Sequence, residues 1–387
     1  MKKLVLALIV IICICACGCQ NPIKKIEGNS KIYGVWFSCF ELDKMLATGD
    51  FKAEFSSLIE DCSELGITDM FVHTRPFCDS IYKSEYFPLR ASLEGIDYDI
   101  LEYMINACHQ KGIRVHAWIN PYRVKTDSTD INTLPTNSPA RRWLEDDDPQ
   151  NDTNVVLLDG IYLNPAAEDA TRLVLDGIRE IINNYDIDGI HFDDYFYPTE
   201  SSDFDKLLYE KYSDKNLFPL PLSDWRRENV NAFVSEVSRV IKYQNSDVVF
   251  SISPAASLDK NYESLYADIA LWTRNGYIDW IIPQLYFGFN YPETEFQFDN
   301  LYKQWQETAK NSDVKLIIGL ASYKVDTIEP DECEEWSSGN LLKRQIEHIN
   351  NSSDGCCFFS LSSLFGDTEN QTNERENIRS LITRYKN

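Results

Sequence analysis

Two neighbouring acids, Asp193 and Asp194, follow the short apolar segment Gly189-Ile190-His191-Phe192. Carboxyl groups held side by side repel when both are ionised, so one of such a pair keeps a proton near neutral pH. Cleavage of a glycosidic bond asks for that combination. One group protonates the leaving oxygen, and another meets the positive charge that grows at the anomeric carbon. Further polar and aromatic residues stand at the ends of similar segments: His73 and Arg75; His116, Trp118, Asn120, Tyr122 and Arg123; His191 and Tyr195; Gln284 and Tyr286. Strand side chains alternate between two faces. His73 is therefore expected on one face with Arg75, His116 with Trp118 and Asn120, and His191 with Asp193.

The elements that would position these groups are short apolar runs alternating with helical periods. The runs are 32–37, 70–73, 115–119, 189–192, 248–252, 280–285, 316–320 and 356–359. Phe51, Phe55, Leu58, Ile59, Cys62 and Leu65 follow helical spacing, and Gly66 ends that helix. Leu173, Val174, Gly177, Ile178, Ile181 and Ile182 do the same before the fourth run, and 224–243 and 297–310 are more polar helices. Eight such units predict a (β/α)8 TIM barrel, in which residues at the carboxyl ends of the strands converge on one site. A doubly wound open sheet is the competing fold. It would put the eighth run at an edge, where a segment apolar throughout does not belong. Residues 124–167 form a long loop after strand 3, and long loops in compact domains are commonly functional.

The first residues read as export machinery. Lys2 and Lys3 precede an apolar stretch from Leu4 to Cys17, too short for a membrane span and right for a signal peptide. It ends in Ala16-Cys17-Gly18-Cys19, which resembles a bacterial lipoprotein cleavage site with Cys19 as the lipidated residue and Cys17 as the alternative. The expected organisation is a lipoprotein signal at 1–18, a tether at 19–30 and one barrel domain at 31–387, facing outward from the cell envelope on a lipid anchor. A formal charge of −24 excludes nucleic acid as a natural partner. Seven cysteines follow the signal at irregular spacing, a poor disulfide framework, and no CxxC pair points to zinc. Cys62 and Cys108 fall on apolar helix faces and read as small core residues.

The segments Gly34-Val35-Trp36, 116–123 (HAWINPYR), 188–198 (DGIHFDDYFYP) and Pro283-Gln284-Leu285-Tyr286 together resemble the glycosyl hydrolase-like 10 family, from about residue 31 to at least 325. The resemblance implies an exported barrel glycosidase, commonly a lipoprotein, acting on bacterial cell-wall glycan, with no cofactor. The fourth segment is also similar to the catalytic strand of chitinase-like barrels. It departs from that pattern at His191 and at Tyr195, which stands where a catalytic Glu would be.

Three mechanisms remain open at this level. In substrate assistance the sugar's N-acetyl oxygen attacks, Asp193 orients the amide and Asp194 is the acid. In a retaining double displacement Asp193 is the nucleophile and needs an acid about 5 Å away, from Asp79 or Asp259. Inversion needs a more distant base. Each residue also has a plainer role: Asp193 and Asp194 as an ion pair with Arg75 or Arg123, the histidines as bonded core groups, Trp118, Tyr195 and Tyr286 as core aromatics. Arg75 and Arg123 could otherwise receive a substrate carboxylate. Two rival functions stand beside the glycosidase. One is a metal-dependent amidase or deacetylase using His73, His116, His191 and Asp193; the other is a non-catalytic glycan-binding lipoprotein.

Overall fold

The computed structural model describes residues 31–326 and 334–386. The expected signal, tether and lipidation site lie outside these residues, as does Cys333. Eight parallel strands close into a barrel: β1 (Ile32–Phe37), β2 (Asp69–Arg75), β3 (Arg114–Ile119), β4 (Gly189–Phe192), β5 (Val249–Ile252), β6 (Trp280–Ile281), β7 (Lys315–Ala321) and β8 (Gly355–Phe359). β8 returns to pair with β1, so the fold is the (β/α)8 barrel and not an open sheet. The sixth run is shorter than its apolar length suggests. Beyond Ile281 it continues only as bridges from Gln284 to Ala255 and Gly319.

Alternation divides every strand between two cores. Ile32, Trp36, Phe71, Trp118, Trp280, Ile282, Ile317 and Cys357 fill the barrel interior. Their neighbours, such as Val35, Met70, Ala117, Ile190, Phe250 and Phe358, face the helices. Helix Phe51–Leu65 buries Phe51, Phe55, Ile59, Cys62 and Leu65, is capped by Asp50 and ends at Gly66, whose φ of 93° suits a residue without a Cβ. Each large side chain so buried contributes about 1.5–3 kcal/mol. Helices Glu168–Asn184 and Leu222–Gln244 cover the β4 side of the barrel. Cys62 and Cys108 are buried and unpaired, and Cys108 Sγ lies 4.0 Å from Met70 Sδ. No helix among the described residues is long and apolar enough to cross a membrane.

The amino-terminal end of the barrel repeats one device at four junctions. The residue before each even strand bonds its odd neighbour twice. Its backbone N–H donates to a strand carbonyl, and its side-chain oxygen accepts from that same residue's N–H. Thr68 clamps Tyr33 in this way, Asp188 clamps Val115, Asp279 clamps Phe250 and Asp354 clamps Leu316. The side-chain bonds are 2.7–2.9 Å long. Inside the same end, Asp69 accepts from His116 Nε2 and Arg114, each within 2.9 Å. Burial raises its pKa, but His116 and Arg114 outweigh that and hold it at about 2.

At the other end the 124–167 connection is more than a loop. It carries helix Pro139–Glu145 and a three-stranded antiparallel sheet in which Ile161–Leu163 lies between Arg123–Lys125 and Val155–Leu157.

The clamps make a stability prediction. Asp279→Ala leaves the buried Phe250 N–H without its acceptor, which costs about 1–3 kcal/mol. Thermal denaturation should show the corresponding fall in Tm with turnover per folded molecule unchanged. An unchanged Tm would mean the clamp contributes nothing.

Candidate active site

β4 delivers its carboxylates where the strand ends. His191 points into the barrel, fully buried, and its edges are both occupied. Trp36 Nε1 donates to Nε2 at 3.0 Å, which places the ring proton on Nδ1, facing Ser251 Oγ at 2.8 Å. Burial, together with His116 and His73, holds this imidazole neutral. Two residues on, on the same side, Asp193 stands one layer higher at 9% exposure. Its Oδ1 accepts from Gln284 Nε2 at 2.8 Å and from the Asp194 N–H at 3.0 Å, with Ser253 Oγ at 3.5 Å. That oxygen is committed as an acceptor, so a proton on Asp193 sits on Oδ2. Gln284 spends its second N–H on the Ser253 carbonyl, which fixes the amide.

Asp194 turns toward a cavity of about 420 Å3 lined also by Arg123, Tyr162, Tyr195, Glu200 and Lys260. Its Oδ1 is buried without a protein partner. Burial pushes both carboxyls up; the Asp194 charge raises Asp193 further, whereas a hydrogen bond from Asp193 lowers Asp194. Lys260 and Arg123 also lower Asp194. Asp193, deeper and beside the Asp194 charge, is pushed up more strongly, which makes it the member of the pair that holds a proton more readily.

Several expected positions lie beside this pair, and others do not. Gln284 touches Asp193 directly. Arg123 lies with its guanidinium over the Tyr195 ring, 3.1 Å from the centroid, and both line the Asp194 cavity. Tyr122 is buried against Phe233 and forms part of that cavity's wall. Tyr286 stacks on Phe359 at 5.9 Å, and Tyr323 meets both edge-on, which makes an aromatic wall at the ends of β6 to β8.

Four expectations need correction. Arg75 does not share a face with His73. A register shift between them pairs His73 with Trp118 and Arg75 with Ile119, so the bulge at Thr74 turns Arg75 outward, against Phe87 and Gly177. His116 sits on the barrel floor, bonded to Asp69. A Cβ on Gly189 would lie 2.0 Å from its Nδ1, so that glycine makes room for it. His191 positions the layer beneath Asp193 and has no free edge for a sugar. Trp118 is inward but only 5% exposed, with one ring face covered by His73 at 3.7 Å, so it is not an open stacking platform.

The histidines expected to offer a metal set lie at different depths with different partners. Among the described residues no group of three or more His, Cys, Asp or Glu is placed to hold a metal ion. The expected partner acids are also elsewhere. Asp79 is ion-paired with Arg90 at 2.8 Å beside a second cavity of about 490 Å3, and Asp259 is exposed on helix Leu258–Glu263. Sequence spacing offered His73 as a strand-end residue and candidate metal ligand, and missed Ser253, Lys260 and Tyr162. A serine or lysine in a loop carries no periodic signal.

Raised carboxyl pKa values give a signed pH dependence. The folded chain binds a proton that an unfolded Asp releases above pH ~3.9, so this pair's contribution to stability falls as pH rises from there. Asp193→Asn should therefore be more stable than wild type, by a Tm difference that widens between pH ~4 and 8. A difference independent of pH would show that the folded pair holds no extra proton.

Residues 31–338 match the glycosyl hydrolase-like 10 family. The chain is 33% identical over 371 residues to glycosyl hydrolase YngK of Bacillus subtilis, spanning 87% of this chain and 69% of that protein. With glycosyl hydrolase DigH of Escherichia coli K12 it shares 29% over 320 residues, 75% of this chain and 70% of that one. Among solved structures, the PgaB glycoside hydrolase domain from Bordetella bronchiseptica aligns with a TM-score of 0.63 at 12% identity, covering 90% of this chain and 99% of that one. The catalytic domain of a Paenibacillus polymyxa beta-amylase gives 0.61 at 10% identity, covering 92% and 99%. These last two are likenesses of fold. The extent of the family match, with the YngK relationship, makes this chain a member of the glycosyl hydrolase-like 10 family, built on the barrel that glycosidases use.

Proposed function

We propose that this protein is a glycoside hydrolase of N-acetylated glycan in the bacterial cell wall, with Asp193 and Asp194 as its catalytic pair. The observation that carries the reading is the adjacent pair at the carboxyl end of β4, with Asp193 buried and held through one oxygen by Gln284 and the Asp194 N–H, and Asp194 facing the cavity. Asp79 is ion-paired with Arg90 and Asp259 is exposed to solvent, and an adjacent pair suits substrate assistance, which needs no third carboxylate. The acetamido oxygen attacks the anomeric carbon, and the bond to the leaving oxygen breaks as that oxygen takes the Asp193 proton. Asp194, in a cavity it shares with Lys260 and Arg123, holds the acetamide N–H as an anion while the oxazolinium ring closes. Water then opens the ring, returning a proton to Asp193. These roles exchange the two aspartates relative to the sequence expectation, because Asp193 is the deeper and Lys260 favours the anion at Asp194 alone. The cell-wall substrate rests on the expected export signal and on what the family resemblance implies. A metal-dependent amidase has less support, since the histidines it would use are spent on Asp69, Trp36 and Ser251 or stacked on Trp118.

Leaving-group dependence separates the two roles. Loss of the acid in Asp193→Asn should slow cleavage of isolated glycan strands by about 10²–10⁴-fold. Aryl N-acetylglucosaminides whose leaving group needs no proton should be cleaved at near wild-type rates. Asp194→Asn should lose activity on both. If both variants keep normal rates on glycan, the site is elsewhere; if wild type shows no turnover at all, the chain is a glycan binder.

The same reading puts the protein on the outer face of a membrane through lipid on Cys19. Labelled palmitate should enter the wild type and Cys17→Ala but not Cys19→Ala. Label retained in Cys19→Ala would refute that anchor.

A further inference from the structure

His73, Trp118 and Asn120 stand together at the carboxyl ends of β2 and β3 and have a common property. All three are more than nine-tenths buried, at 6%, 5% and 2% exposure, yet each keeps a polar atom with no protein partner. His73 lies flat on the Trp118 indole, centroids 3.7 Å apart and planes within 5°. The stack uses the ring faces and leaves both imidazole nitrogens and the indole Nε1 unpaired at the ring edges. Asn120 spends its Nδ2 on the Pro76 carbonyl and leaves Oδ1 free. Strand register ties this group to the catalytic layer. His73 pairs with Trp118, Trp118 with His191, and Asp193 is the next inward residue above His191.

Four such atoms in one place are costly, because a buried polar group without a partner loses about 1–3 kcal/mol. Their types say what would satisfy them. Burial, with Arg90 and Arg123 nearby, keeps His73 neutral, so it offers one N–H and one lone pair. Trp118 adds a donor and Asn120 an acceptor. A cation would meet two donors with Arg90 and Arg123 nearby, and an anion would leave the Asn120 oxygen facing a like charge. A neutral group that both donates and accepts twice fits: two sugar hydroxyls, or one hydroxyl and an acetamide.

We propose that His73, Trp118 and Asn120 form a subsite for the hydroxyl and acetamide groups of a neutral sugar ring, adjoining the catalytic aspartates. The subsite rests on the reading of Asp193 and Asp194 as the catalytic pair, but its test does not need turnover. His73→Phe keeps the stack on Trp118 and deletes both nitrogens; Trp118→Phe keeps an aromatic ring and deletes the indole N–H. Calorimetric binding of chitotetraose, and separately of peptide-free glycan strands, is compared with thermal stability. Each variant should bind at least one probe about 10-fold more weakly, with an unchanged or higher Tm, because it removes unpaired polar atoms from burial. A purely structural histidine would give the opposite: lower Tm and unchanged Kd for both probes. That result, or wild type binding neither probe, overturns the subsite. Wild type that binds a probe with this dependence on His73 but never turns glycan over would retain the subsite and refute the catalytic reading.

Discussion

Two carboxyl groups cannot both be charged in a buried strand end without a large cost, and the surroundings of Asp193 and Asp194 are arranged around that limit. Gln284 and the Asp194 N–H bind the same oxygen of Asp193, which fixes the group and leaves its other oxygen to carry the proton. Beneath it, His191 is locked between Trp36 and Ser251 and stays neutral, so no positive charge below draws the proton away. The nearby cations, Arg123 and Lys260, lie instead along the cavity that Asp194 faces. The same architecture favours a proton on one aspartate and places counter-charges beside the other.

Barrels separate stability from chemistry along their axis, and this one does so with different bonds at each end. At the amino-terminal end, Thr68, Asp188, Asp279 and Asp354 tie strand to strand, and Asp69 is satisfied by His116 and Arg114. Those carboxylates are paired or spent on backbone N–H groups. At the carboxyl end, polar atoms of His73, Trp118, Asn120 and Asp194 are left unpaired in burial.

The segment after β3 shapes that mouth. Arg123 and Tyr162 border the cavity beside Asp194, while Val124 and Lys125 border the second cavity with Asp79 and Arg90. One small sheet thus forms a wall of both. Across the barrel, Tyr286, Tyr323 and Phe359 supply apolar faces of the kind sugar rings pack against. Tyr195, with Arg123 over one ring face and 38% of its surface exposed, offers another at the cavity edge.

How much of this was readable in the chain follows from which physical rule governs each part. The barrel was legible because apolar runs alternating with helical periods are local patterns, and helix Phe51–Leu65 with its Gly66 stop appears where the spacing puts it. The Asp193–Asp194 pair and its Gln284 neighbour were legible because strand ends in such a barrel meet at one place. A period of two fails wherever a strand bulges, and the single register shift at Thr74 was enough to turn Arg75 away from the site. Depth is likewise invisible to spacing: His116 and Asn120 share a face, but one lies on the floor and the other at the mouth. The clamps at Asp188, Asp279 and Asp354 left a trace, an acid directly before an apolar run, yet only the closed sheet reveals the N–H each one binds. Sequence determined the fold and the acids; tertiary structure decided which acid keeps the proton, because that depends on cations and amides brought in from distant strands.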